Sequence, residues 1–285
     1  MQRYIEIIEC PRDAMQGWHR HIPTQEKIGY IKSLLNVGFD ALDAGSFVSP
    51  KAIPQMADTA QVFEAIQPAI KANKLLAIVA NERGAEQAVN NASVHFVGFP
   101  FSISNTFQQL NTNSSIEESW ERLKTIFNLC QQHQKELVVY ISMAFGNPYG
   151  DDYDASLVYH WVEKMEALGV GIISLADTVG LSTPDEVYKI TKHVIDHSKT
   201  ATIGVHLHST QALAYQKIEA AYKAGCNRFD CAIGGIGGCP MAQNDLVGNI
   251  DTNVLLQFLQ ENGAKTNIDH LAFENAQQLA LQLFY

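Results

Sequence analysis

The residues best suited to chemistry are two histidines, His206 and His208, separated by one leucine. On an extended strand, side chains i and i+2 leave the same face. Two imidazoles placed so can bind one divalent ion; they can equally be two partly buried histidines. A second pair, Arg12 and Asp13, joins a permanent cation with a planar fork of donors to a carboxylate. Asp13 is a suitable third ligand. Arg12 suits a substrate carboxylate or a developing oxyanion, or pairs structurally with an acid. Carboxylate and imidazole donors together suit Mg, Mn, Fe or Zn without deciding among them. Asp177 reads as a base, as a partner of a ligand, or as a turn or helix cap. Asp43 and Ser46 carry the same ambiguity. Cys239 follows a stretch, 234–238, in which four of five residues are glycine, Gly237 and Gly238 among them. Such a stretch makes a mobile loop that allows close approach, and a cysteine on it is more usable as acid, base or nucleophile than one inside a strand.

The elements that must position these groups alternate along the chain. Apolar runs at 4–9, 39–44, 75–80, 94–99, 137–143, 171–176, 202–207 and 227–233 read as strands. Amphipathic stretches at 24–37, 59–66, 86–91, 115–133, 154–168, 210–224 and 252–261 read as helices. Ser115 with Glu118 and Thr183 with Glu186 have the spacing of capping boxes, each opening a helix. Regular β-α alternation forces parallel strands and right-handed crossovers. Eight such units predict a (β/α)8 barrel in a single domain spanning 1–285. Residues 1–262 form the barrel, and 263–285 add a C-terminal helical extension. A doubly wound sheet is the rival, but the first strand is not followed by G-x-G-x-x-G. Barrels carry their chemistry at the C-terminal ends of strands. Residues 12–13, 43–46, 177–178, 206–208 and 234–240 all fall there.

Composition excludes other classes. With 46% hydrophobic and 18% charged residues the chain buries a large core rather than staying disordered. A net charge of −10, from 20 basic and 30 acidic residues, opposes nucleic acid and anionic membrane surfaces as partners. No apolar run is long enough to span a bilayer. Five cysteines without a C-x-x-C pair argue for a reduced, cytoplasmic protein.

Several segments together resemble the 3-hydroxy-3-methylglutaryl-CoA lyase family, within the metal-dependent aldolase/Claisen superfamily of TIM barrels. They are RDAMQ at 12–16, SFVSPK at 46–51, PQM at 54–56, SLADT at 174–178, HLH at 206–208, GGCP at 237–240 and GN at 248–249. The resemblance implies a Mg2+ or Mn2+ ion held by Asp13, His206, His208 and Asn249. It places Arg12, Asp43, Asp177 and Cys239 in the catalytic set, with Gln16, Ser46 and Thr178 as substrate contacts. It implies cleavage of an acyl-CoA, 3-hydroxy-3-methylglutaryl-CoA, to acetoacetate and acetyl-CoA, an association with leucine and ketone-body metabolism, and a homo-oligomer. Alternatives within the superfamily are a Claisen-type synthase, or a lyase for a related 3-hydroxyacyl-CoA. The chain departs from the family pattern at Ala14, Met15, Asp43, Asn147 and Ser209.

Overall fold

A computed structural model describes residues 2–238 and 247–285. The first half runs β1 (Glu6–Glu9), α1 (Pro11–Gln16), α2 (Thr24–Leu34), β2 (Ala41–Ser46), α3 (Thr59–Ile66), β3 (Lys74–Ile78), α4 (Glu82–Val89), β4 (Phe96–Ser102), α5 (Asn105–Thr112), α6 (Ile116–Gln132). The second runs β5 (Glu136–Ser142), α7 (Ala155–Leu168), β6 (Ile172–Asp177), α8 (Pro184–His197), β7 (Thr202–Leu207), α9 (Gln211–Ala224), β8 (Arg228–Cys231), α10 (Thr252–Glu261), α11 (His270–Phe284). The strands close in sequence order into an eight-stranded parallel barrel, as the alternation predicts. Closure is made by β1 against β8, in the register Glu6 to Arg228 through Glu9 to Cys231.

The local chemistry explains the ends of the elements. Both capping boxes form: Ser115 and Thr183 each accept the N–H three residues on, and Glu118 and Glu186 return the bond. Asp154 caps α7, and Gly169 closes it in the left-handed region. Two helices lie outside the sequence reading. Helix α1 is one short turn opened by Pro11, where a missing N–H costs nothing. Helix α5 is rich in Asn, Gln and Thr, but Ser104 caps it by accepting from Phe107 N–H.

Strand parity sorts the core into two layers. Inside the barrel, Ile8, Cys10, Ala41, Leu76, Phe96, Val138 and Tyr140 form one cluster. The opposite faces of the strands, with Ile7, Leu42, Ile173, Leu175, Val205 and Leu207, pack against the helices. The C-terminal helix belongs to this outer layer. It lies along α2, begins beside Val37, whose carbonyl accepts Asp269 N–H at 2.8 Å, and ends where Phe284 meets Trp18 edge-on at 5.2 Å.

Candidate active site at the barrel mouth

Gly204 and His206 face inward on β7, with His208 just beyond the strand. The two imidazoles converge as the spacing predicts, Nε2 to Nε2 at 3.1 Å. Each ring is fixed from behind. Asp230, inward-facing on β8, lies 3.2 Å from His206 Nδ1 and accepts its proton. The backbone of Thr178 hydrogen-bonds the His208 ring. The two Nε2 atoms converge. Asp13, presented by α1, has a carboxylate oxygen within 4.8 Å of both rings.

Asn249 completes the cluster. Its amide donates to Asp13 Oδ2 at 2.7 Å and to the Ile236 carbonyl at 2.9 Å, so the atom it has left to offer a ligand is Oδ1. Gly237 packs against the pair. A Cβ there would lie 2.4 Å from Asn249 Nδ2 and 2.7 Å from Asp13 Oδ2, so only glycine fits. Gly238 N–H donates to the same Asp13 oxygen at 3.4 Å.

Arg12 extends from the same turn. Its Nε donates to both oxygens of Asp43 at 3.1 Å, and its Nη2 to Asp43 as well. Nη1 reaches Asp13 at 2.8 Å and Gln16 at 3.1 Å. Four of the five N–H donors of a guanidinium are committed. The fifth, on Nη2, has no partner among the described residues.

These charges set one another. Burial opposes ionisation of Asp13, but Arg12 first, then His206 and His208, hold its carboxyl well below the usual carboxylate range. Burial would lower His206; the hydrogen bond and charge of Asp230 raise it instead. Burial and the charge of His206 push His208 down to about 4. Burial outweighs Arg12 at Asp43 and raises its carboxyl. Two buried imidazoles with converging Nε2 atoms, beside an ionised carboxylate, form a donor set that suits a divalent cation.

The cluster forms one pole of a cavity of about 280 Å³ at the C-terminal end of the barrel. Arg12, Asp13, Gln16, Thr178, His206 and His208 make the polar pole. Val48, Ile53, Pro100 and Phe107 are among the apolar residues opposite. Gln16 and Thr178 thus stand where substrate contacts are expected.

Among the described site residues, Asp43, Ser46, Asp177, Gly237, Gly238 and Asn249 do not line the cavity. Asp177 has the parity of Ile173 and Leu175 and faces the helices. Its carboxylate is fully buried, accepts from Lys217 Nζ at 2.7 Å and Ser182 Oγ at 2.5 Å, and does not line the cavity. Ser46 is buried and its hydroxyl accepts Val48 N–H at 3.2 Å, shaping the turn that presents Val48. Asp43 reaches the site through Arg12 rather than directly. Of the departures, Asn147 stitches its own loop by accepting from Tyr149 and Asp151, and the N–H of Ser209 bonds to the Gly248 carbonyl beside Asn249. Cys239 lies outside the described residues. The sequence reading missed Asp230 and Lys217, although Asp230 shares the inward parity of β8.

A family model described as HMGL-like matches residues 5–280. The chain belongs to the HMGL-like family. A Pseudomonas aeruginosa protein named 3-hydroxy-3-isohexenylglutaryl-CoA/hydroxy-methylglutaryl-CoA lyase is 31% identical over 98% of this chain and 92% of its own. The mitochondrial hydroxymethylglutaryl-CoA lyase of Gallus gallus is 33% identical over 93% of this chain and 88% of its own. Among solved structures, an HMG-CoA lyase from Acinetobacter baumannii, in complex with coenzyme A and 3-methylmalate, superposes with a TM-score of 0.90 at 32% identity, over 99% of this chain and 91% of that one. The HMG-CoA lyase of Brucella melitensis gives 0.89 at 30% identity, over 99% of both chains.

Proposed function

We propose that the chain is a divalent-metal-dependent carbon–carbon lyase that cleaves 3-hydroxy-3-methylglutaryl-CoA to acetoacetate and acetyl-CoA. The observation that carries the reading is the pair of facing imidazoles, 3.1 Å apart beside Asp13, at the polar pole of the cavity in a chain of this family. Asp13, His206, His208 and Asn249 would hold the ion, and Mg2+ or Mn2+ suits their oxygen and nitrogen donors. When bound, such an ion acidifies a coordinated alcohol and orients it.

The chain's own groups supply the rest. Cleavage removes the proton of the tertiary hydroxyl, breaks the C2–C3 bond, and leaves negative charge on the thioester fragment until a proton arrives. Arg12 is the fixed cation at that pole, held in place by Asp43, with one N–H that has no partner among the described residues and can serve the developing oxyanion. Gln16 and Thr178 orient the substrate's polar end. The apolar wall of Val48, Ile53 and Phe107 accommodates the methyl branch and lowers the local dielectric, which strengthens the Arg12 interaction. Asp230 keeps the Nδ1 proton on His206, so that Nε2 stays available as a ligand. Cys239 is the candidate proton donor to the thioester fragment. The four described cysteines are free and buried, which supports a reducing compartment such as the cytoplasm.

The test is product analysis. Purified protein with Mn2+ and 3-hydroxy-3-methylglutaryl-CoA yields acetoacetate and acetyl-CoA in equal amounts. Intact substrate after full metal loading excludes this lyase activity. Net condensation from acetyl-CoA would instead identify a synthase.

A further inference from the structure

The reaction described above makes no use of Glu9, whose carboxyl is fully buried. It has the outward parity of Ile7 and lies between the barrel wall and the helices. β1 stops pairing at Glu9, where the chain turns into α1, so the residues of β8 beyond Cys231 lose their strand partner on that side. A buried N–H left there is costly unless something else accepts it. Glu9 Oε1 accepts Ile233 N–H at 2.8 Å. Its other oxygen, Oε2, accepts the Thr252 hydroxyl at 2.6 Å. Ile233 and Thr252 are the two feet of the connection between β8 and α10.

That connection carries site residues on both limbs: Gly237 and Gly238 on one, Asn249 on the other. The limbs touch backbone to backbone. A Cβ on Gly248 would lie 1.9 Å from the Gly235 carbonyl oxygen, so the spacing between the limbs has no slack. Asn249 then spans to Asp13 and Ile236. Backbone bonds help: Ala232 N–H to Ile250 and Thr252 N–H to Ala232. Among the described hydrogen bonds, Glu9 is the side chain that grips both feet at once.

We infer that Glu9 is a positioning residue for the metal centre: its buried carboxyl sets the distance between the two limbs and thereby the place of Asn249 against Asp13. The inference rests on the proposed role of Asn249 as a ligand. Glutamine has the same shape and can still accept from Ile233 and bond Thr252. Alanine can do neither. Thr252→Val keeps the shape of the second foot and removes its donor.

The experiment titrates metal-stripped Glu9→Gln, Glu9→Ala, Thr252→Val and the unaltered protein with Mn2+ by calorimetry. Amide exchange is followed at 233–238 and 247–252. Affinity within about 3-fold of the unaltered protein is expected for Glu9→Gln. A loss of about 10-fold or more is expected for Glu9→Ala and a smaller loss for Thr252→Val, the range known for groups that orient ligands. Exchange at both limbs accelerates in the same order. If Glu9→Ala does not fold, the shape-conserving Thr252→Val decides. Lower stability with unaltered Mn2+ affinity and unaltered exchange overturns the inference. If the unaltered protein binds no Mn2+, the metal reading fails, and exchange alone decides whether Glu9 sets the two limbs.

Discussion

The buried pair of Lys217 and Asp177 offers the sharpest mutational test. Both side chains are fully buried and their charged atoms lie 2.7 Å apart. Lys217 also donates to the carbonyls of His208 at 2.9 Å and Gly180 at 3.2 Å, tying the ends of β6 and β7 together. Lys217→Met leaves Asp177 with only Ser182 as donor, and Asp177→Asn leaves a buried ammonium facing carbonyls. Each costs about 3–5 kcal/mol, the penalty for orphaning one partner of a buried pair. That is a large share of the roughly 5–15 kcal/mol that holds a protein folded. The double variant has no buried charge at this point and keeps an acceptor for Ser182. The two effects therefore couple by about 2–3 kcal/mol, at the upper end for residues in one network. Urea unfolding of the four proteins measures the coupling. Turnover at saturating Mn2+, below every midpoint, measures chemistry. Because Asp177 faces away from the cavity, turnover in the double variant stays within about tenfold, and any loss follows displacement of His208 and appears as weaker Mn2+ binding. Strictly additive energies, or a well-folded double variant that binds Mn2+ normally but has lost turnover about a thousandfold, would refute this account and return Asp177 to the chemistry.

Other consequences are accessible to the same preparations. Asp230→Ala weakens Mn2+ binding by about 10–100-fold, and Asp230→Asn recovers most of it by still accepting the His206 proton; equal losses in both would show that charge, not orientation, matters. Burial pushes the Glu9 carboxyl up to about 8, against hydrogen bonds from Thr252 and Ile233, with Asp251, Cys231 and Tyr30 as its titratable neighbours. Between its ordinary value of 4.5 and about 8, the unfolded chain releases a proton that the folded one keeps, so stability falls as pH rises through that window, by about 1.4 kcal/mol per unit at most. Glu9→Gln removes this contribution, and an identical slope in unfolding midpoints for both proteins would contradict it. Cys239→Ala loses turnover while its Mn2+ stoichiometry is kept; normal turnover would take Cys239 out of the reaction.

The barrel was legible because each strand carries large apolar residues and each long helix an apolar stripe. Strand ends shift by up to three residues in either direction: the run at 227–233 outlasts the ladder of β8, the ladders of β2 and β4 continue past their runs, and β7 coincides with its run. α1 escaped because six residues are too few for a helical period, and it is the turn that presents Arg12 and Asp13. The histidine pair was legible because His206 and His208 share a parity opposite to Val205 and Leu207. The same rule, applied to β6, would have turned Asp177 outward with Ile173 and Leu175. Its partner Lys217, on α9, leaves no local trace in the sequence. Glu9 and Asp230 are similar cases: their roles depend on which residues the barrel's closure brings beside them.

In the proposed reaction, turnover depends on one ion held by Asp13, His206, His208 and Asn249. The decisive measurement titrates metal-stripped protein with Mn2+ and follows acetoacetate release from 3-hydroxy-3-methylglutaryl-CoA at each addition. Turnover should rise linearly from near zero and level off at one ion per chain. Full turnover before any Mn2+ is added and with chelator present, or no turnover after one equivalent has bound, would contradict it.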